Sequence, residues 1–231
     1  VKHAVVTGAY QGLGALIANE LEAVGYTVHR WDIRFEQRVD LCSAGSVQAA
    51  ADRLPVPHIH ALVNCAGVNE LAAIPNLDGQ LWDYHMAVNA RAMLYTVQAL
   101  LPALSAGGTV CNIISNASHM PMRHSLAYNA SKAAADMLTR QMARELWGTH
   151  RVTVFGVSPN RLHGTPMSVS VDRQVAISRA WSAAEVRRRQ LEALPIGEET
   201  DPATVAEFVA WLLSTKERHR YLHGAILDYG I

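Results

Sequence analysis

Residues 3–25 read HAVVTGAYQGLGALIANELEAVG, and the order of the parts decides the fold. The β-branched run His3-Ala-Val-Val-Thr7 precedes a glycine cluster. Leu13, Leu16, Ile17, Leu21 and Val24 then fall on one helical face before Gly25 stops the helix. The stretch therefore predicts strand, turn and helix. Glycines in such a turn permit close backbone approach, and the unpaired N–H groups of the helix N-terminus suit a pyrophosphate. Gly8, Gln11, Gly12, Leu13 and Gly14 are the candidate contacts, spaced as Gly-x-x-x-Gly-x-Gly rather than the commoner Gly-x-Gly-x-x-Gly.

The same alternation runs along the whole chain. Val28 to Trp31, Ala61 to Asn64, Thr109 to Ser115, Val152 to Ser158 and Ala225 to Tyr229 read as further strands. Helical stretches lie at about Leu77 to Leu101 and Leu126 to Trp147, and Asp201-Pro202 opens another that runs to Leu213. This order predicts an α/β fold: a Rossmann-like, doubly wound parallel sheet with helices on both faces, in one domain spanning residues 1–231. Two segments break the rhythm. Ile33 to Arg38 is short for a connecting helix, which points to one pared away; Met167 to Leu194 is polar and helix-prone, with Arg187-Arg188-Arg189, and fits a solvated helical segment covering a site.

With 50% hydrophobic residues among 231, the chain can bury one large core. Twenty basic against twenty acidic residues exclude the charge signature of nucleic-acid or anionic-membrane binding and favour a small-molecule partner. Cys42, Cys65 and Cys111 lie far apart with no metal-ligand spacing, so neither disulfides nor a metal are expected. No apolar run reaches about 18 residues and no leader pattern is evident, so the expectation is a cytoplasmic protein without a membrane span or signal peptide.

Asp32, at the end of the second strand, can accept hydrogen bonds from both hydroxyls of an adenosine ribose and would repel a 2′-phosphate; the nearby Arg34 keeps a phosphate-binding alternative open. On the later helix, Tyr128 and Lys132 stand four residues apart and so face one site. A fixed ammonium favours the phenolate and draws the phenol's pKa toward neutrality, which equips it to exchange a proton with an alcohol or carbonyl oxygen. Ser115 offers a hydroxyl at the carboxyl edge of the sheet, Asn89 is a polar side chain inside an apolar helix, and Asn64-Cys65-Ala66-Gly67 closes a strand with a small-residue turn.

The sequence resembles the short-chain dehydrogenases/reductases over essentially its whole length. The resemblance rests on Thr7 to Gly14, the Asn64 to Gly67 turn, Asn89, Ser115, and Tyr128 with Lys132. It implies a sheet of about seven parallel strands, a nicotinamide cofactor and a homodimer or homotetramer. Tyr128 would be the acid/base, and Lys132 would lower its pKa and hold the nicotinamide ribose. Ser115 would steady the substrate oxygen, and Asn89 would hold a water relaying protons from Lys132. Asp40 with Leu41 would lie on the adenine side, Asn64, Ala66 and Gly67 along the cofactor, and Pro159 and Leu162 near the nicotinamide.

Three departures stand out. Pro159-Asn160 replaces the family's Pro-Gly, and asparagine, the best non-glycine occupant of the left-handed region, is expected to keep that turn. Thr165-Pro166 comes one residue late, and Asp228-Tyr229-Gly230 replaces Asp-Gly-Gly, with Tyr229 placed to alter subunit packing. His119, Met120, Met122, Arg123, His124, Arg161 and His163 are candidates to line the substrate end, Arg161 as partner of a carboxylate or phosphate. The leading expectation is an NAD-dependent oxidoreductase interconverting a secondary alcohol and a ketone. Its rivals are an NADPH-dependent 3-oxoacyl-carrier-protein-type ketoreductase, against which Gln11 and Asp32 weigh, and a catalytically silent dinucleotide-binding regulator.

Overall fold

Strands β1 (Lys2–Thr7), β2 (Tyr26–Trp31), β3 (Ile59–Asn64), β4 (Leu104–Ile113), β5 (Thr153–Pro159) and β6 (Ile226–Tyr229) form one parallel sheet in the order β2-β1-β3-β4-β5-β6. They are joined by α1 (Gly12–Ala23), α2 (Ala44–Asp52), α3 (Gly79–Met86), a π-helical turn (Ala87–Arg91), α4 (Ala92–Leu100), α5 (Leu126–His150), α6 (Pro166–Arg179), α7 (Ala183–Glu192), α8 (Pro202–Ser214) and α9 (Lys216–His219). The structure, a computed structural model, describes residues 1–230.

Successive side chains along each strand enter opposite layers. Val5, Leu62, Val110 and Val154 pack with α2, α4 and α5, whereas Val6, Val63, Cys111 and Phe155 pack with α1 and α8. A strand buried on both faces needs apolar residues at every position, which is why these segments read as continuous β-branched runs. Phe155 is wholly buried, and its truncation to alanine should cost about 3–5 kcal/mol.

Six strands form among the described residues, one fewer than the resemblance implies, and the connection after β2 explains it. A parallel neighbour requires a crossover of a dozen or more residues. Only Asp32 to Arg38 separate Trp31 from Val39, and the Val39 N–H returns to Asp32 O at 3.1 Å, so the chain turns back under the sheet and β2 remains the edge. The stretch expected as one helix from Leu77 to Leu101 is divided by the π-helical turn at Asn89. Residues 167–194 form most of α6 and α7.

The chain leaves β1 toward β2 and then crosses back to β3, so the winding reverses between β1 and β3. Doubly wound sheets open a crevice outside the carboxyl ends of the strands at that reversal. Thr7, Asn64 and Ile113 end their strands there.

Candidate active site

The glycine turn is built for close approach. Gly8 and Gly12 have φ of +67° and +60°, a region L side chains avoid. A Cβ on Gly8 would fall 2.7 Å from Ala66 Cα, and one on Gly14 would fall 2.2 Å from Gly8 O. Thr7 Oγ1 accepts from the N–H groups of Cys65 and Ala66 at 3.0 and 3.2 Å, which ties the turn after β1 to the turn after β3. Leu13 is buried beneath this turn and Gln11 stands exposed at the start of α1.

At the end of β2, Asp32 accepts from Arg34 N–H at 3.0 Å and from Tyr10 N–H at 3.4 Å. Its two oxygens retain lone pairs for further donors. The Arg34 guanidinium lies over the Tyr10 ring, 5.9 Å from its centroid. Asp40 caps its own turn by accepting from Cys42 N–H at 2.9 Å, beside the buried Leu41. A bare-backbone turn at a helix N-terminus, with a carboxylate at the neighbouring strand end, fits a dinucleotide: N–H groups for the phosphates and Asp32 for a ribose diol.

The catalytic candidates converge at the carboxyl ends of β3 and β4. Tyr128 and Lys132 lie on one face of α5, and both are buried. Ser115 follows β4 and accepts from Ala117 N–H at 3.2 Å, with its hydroxyl beside Tyr128. Burial pushes the Tyr128 phenol above its ordinary value, and the neighbouring Ser115 hydroxyl offsets part of that rise. Lys132 Nζ donates to Ile113 O at 3.0 Å, and burial lowers its pKa to about 8, which leaves it mostly charged at neutral pH. Burial, rather than the expected pull of Lys132, is thus the largest influence on the phenol.

Asn89 is fully buried in the π-helical turn. Its Oδ1 accepts from Val68 N–H at 2.8 Å, and its Nδ2 donates to Val68 O and to Ser131 Oγ, each at 2.9 Å. Both amide hydrogens are therefore committed, and the side chain keeps one Oδ1 lone pair. A Cβ on Gly67 would lie 3.4 Å from Asn89 Oδ1 and 3.8 Å from Lys132 Nζ, so Gly67 sits directly against the pair.

Asn64 does not present its side chain to the cleft. It accepts from Thr96 Oγ1 at 2.8 Å and donates to Asn112 Oδ1 at 2.9 Å, and Asn112 in turn donates to Thr139 Oγ1 at 2.9 Å. This buried chain of neutral hydrogen bonds locks α4, β3, β4 and α5 together; a polar residue at that depth needs partners and finds them in adjacent elements. Its sequence signal was the lone asparagine inside the strand Val-Cys-Asn-Ile-Ile.

Arg161 is not open to a substrate anion either. Its guanidinium donates to Glu199 at 2.7 Å and to Asp172 in α6 at 2.6 Å. Glu199 also receives His163 at 2.9 Å and Arg187 of α7 at 3.1 Å. Burial alone would raise the Glu199 pKa, but these donors together hold it below the usual carboxylate range. The clasp fastens α6 and α7 to the loop after β5. Beside it, Pro166 and Met167 reach the positions of Gly12 and Gly67, so the start of α6 closes over the cleft.

Pro159 ends β5, and Leu162 pairs with Thr200 in an isolated bridge. Asn160 is not left-handed; it is held by Tyr229 O and Gly230 O, each at 2.9 Å, and Gly164 takes the positive φ instead. Tyr229 packs within the chain against Phe208, ring centroids 5.2 Å apart. The three cysteines are free, and His219 and His223, four apart, face Leu212 O and Val154 N–H. Among the described residues no cluster of metal-ligating groups forms and no helix is long and apolar enough to cross a membrane.

A family profile described as short chain dehydrogenase matches residues 37–176. A short-chain dehydrogenase/reductase FrzI from Cladobotryum sp is 30% identical, covering 98% of this chain and 93% of that protein. An L-xylulose reductase from Caenorhabditis elegans is 30% identical over 92% of this chain and 88% of its own. Among solved structures, a single-residue variant of actinorhodin polyketide ketoreductase with NADPH superposes with a TM-score of 0.90 at 26% identity, covering 98% of this chain and 95% of that one. With its glycine turn, its buried Tyr128 and Lys132 and this profile match together, the chain belongs to the short-chain dehydrogenase/reductase family, enzymes that use a nicotinamide dinucleotide on CH–OH groups.

Proposed function

We propose that the protein is an NAD-dependent oxidoreductase that interconverts a secondary alcohol and a ketone, with Tyr128 as general acid/base. The observation that carries this reading is that Tyr128 and Lys132 are buried together on one face of α5, with Ser115 beside the phenol. When bound, the nicotinamide supplies or accepts the hydride. Negative charge grows on the substrate oxygen during reduction, and the Ser115 hydroxyl and the Tyr128 phenol are the donors that stabilise it. Burial keeps the phenol protonated in the free protein, so its proton is in place for the reductive direction. In oxidation Tyr128 takes the proton from the alcohol. Lys132 uses one hydrogen on Ile113 O and retains two for the ribose and for the phenol's oxygen. Asn89 holds the Val68 backbone beside Lys132, and any relay water there can use its remaining lone pair.

The preference for NAD rests on Asp32. A 2′-phosphate beside that carboxylate meets a repulsion of roughly 4 kcal/mol per unit-charge pair at about 4 Å and an effective dielectric near 20. The parked Arg34 is not aimed at such a phosphate. The ketoreductase structure with NADPH supports the opposite reading, an NADPH-dependent ketoreductase. Steady-state kinetics with both cofactors separate them: wild type should favour NAD by about 10–1000-fold in kcat/KM, and Asp32→Ala should lose most of that preference. A wild type that favours NADP selects the ketoreductase reading.

We also read the protein as a cytoplasmic homo-oligomer, dimer or tetramer. Leu94 of α4 and Met137 of α5 are exposed, whereas Leu101, just past α4, and Leu138 of α5 pack against the core, so Leu94 and Met137 are the residues available to a second copy. Light scattering at several concentrations tests this.

A further inference from the structure

His85 has no part in the reading of the site above, yet it is fully buried in α3, one helical turn before Asn89. Its Nδ1 lies 2.8 Å from Leu81 O, and its Nε2 accepts the Glu70 N–H at 3.0 Å. A carbonyl can only accept and an amide N–H can only donate, so the partners allow one state alone: a neutral ring with its proton on Nδ1. The ring is flanked by two tyrosines. Its centroid lies 6.5 Å from that of Tyr128 with planes at 76°, and 6.4 Å from that of Tyr84 with planes at 71°.

His85 and Asn89 thus hold one short segment from the same helical face, Asn89 at Val68 and His85 at Glu70. Beyond them, Leu71 N–H donates to Gln174 Oε1 of α6 at 2.8 Å, and Ala72 N–H donates to His124 O at 2.8 Å, just ahead of α5. The segment Val68–Ala72 is therefore fastened to the asparagine turn, to the covering helix and to the start of the tyrosine helix. We propose that His85 is a positioning residue: its ring edge backs the Tyr128 ring while its Nε2 fixes the Val68–Ala72 segment beside the catalytic groups. An apolar residue of similar size would back the phenol but leave the Glu70 N–H without its acceptor.

This inference rests on Tyr128 being the acid/base, and the test keeps the two apart. A glutamine side chain can carry an acceptor to the Nε2 position, whereas an asparagine is too short. His85→Asn should lower kcat by about 10–100-fold, the scale of a misplaced catalytic group, with the cofactor KM within a few-fold. His85→Gln should recover most of that loss. In the wild type labelled with ¹⁵N-histidine, long-range ¹H–¹⁵N correlations should show the Nδ1–H tautomer at His85 at neutral pH. The Nε2–H tautomer, an imidazolium, or a His85→Asn variant with wild-type kcat would each overturn the proposal, and the spectrum decides even where the asparagine variant does not fold. If Tyr128→Phe stays active, the reading of the reaction fails first; if Tyr128→Phe is dead while His85→Asn is fully active, only the role of His85 fails.

Discussion

The floor and the cover of the cleft are held by different forces. Beneath the site, Thr96, Asn64, Asn112 and Thr139 form a fully buried chain of neutral hydrogen bonds across four elements. Above it, α6 and α7 are held through Arg161, Asp172, Glu199, His163 and Arg187, polar and charged groups several of which reach solvent. Buried neutral bonds lie beyond the reach of salt, and their loss leaves unpaired groups with nowhere to turn. The outer pairs of this clasp, through the partly exposed Asp172, His163 and Arg187, are screened and individually weak, whereas the Arg161–Glu199 pair at its centre is largely buried. The proposed catalytic groups thus sit on a floor of neutral bonds, and the cover is fastened in part by contacts that salt can loosen.

Four changes break or sharpen that contrast, the largest first. Lys132→Met removes the buried ammonium from the floor and should reduce turnover by about 10²–10⁴-fold or more while also weakening cofactor binding, measured by initial rates and by fluorescence titration. Asn112→Leu strands Asn64 Nδ2 in the interior and removes the donor to Thr139 Oγ1, which keeps its own bond to Ala135 O; urea unfolding should show a loss of about 1–3 kcal/mol, with little dependence on salt. Glu199→Gln loosens the cover instead: the cofactor KM should rise by about 3–10-fold, and its dependence on ionic strength should flatten, while stability changes little.

The smallest effect concerns the sheet edge, remote from both regions. His3 stacks on His29, ring centroids 5.5 Å apart, and His60 Nδ1 accepts from His3 N–H at 3.1 Å. Burial first, and the neighbouring His3 second, lower the pKa of both His29 and His60. A histidine whose folded pKa is depressed binds its proton more readily when unfolded. Its stability contribution is therefore complete above the ordinary value of 6.5 and declines as pH falls below it toward the folded value. The melting temperature should drop modestly below pH 6.5 in the wild type and less in His29→Gln.

What the sequence disclosed follows the range of the interactions. Tyr128 and Lys132 share a face because helix geometry is local, and the brevity of Ile33 to Arg38 pointed to a missing connecting helix, though not to the strand lost with it. The partners of Arg161 and Asn64 could not. Glu199 lies 38 residues from Arg161, and Asn112 lies 48 from Asn64, so only the folded sheet reveals that both polar side chains are already engaged. The phenol's pKa was misjudged for a related reason: helical spacing shows that an ammonium is near, but not how deeply both groups are buried. His85 carried a usable signal, four residues before Asn89 on the same face, although the Glu70 N–H that its Nε2 accepts comes from a loop fifteen residues upstream.

The account turns on Tyr128 as the proton donor, and the most direct test is Tyr128→Phe, assayed for turnover of an accepted substrate and for cofactor affinity in the same preparation. The ring, its burial and the glycine turn all persist in this variant, so cofactor binding should stay within a few-fold of wild type while kcat falls by about 10²–10⁴-fold. A phenylalanine variant that keeps more than about a tenth of the wild-type rate would contradict the assignment.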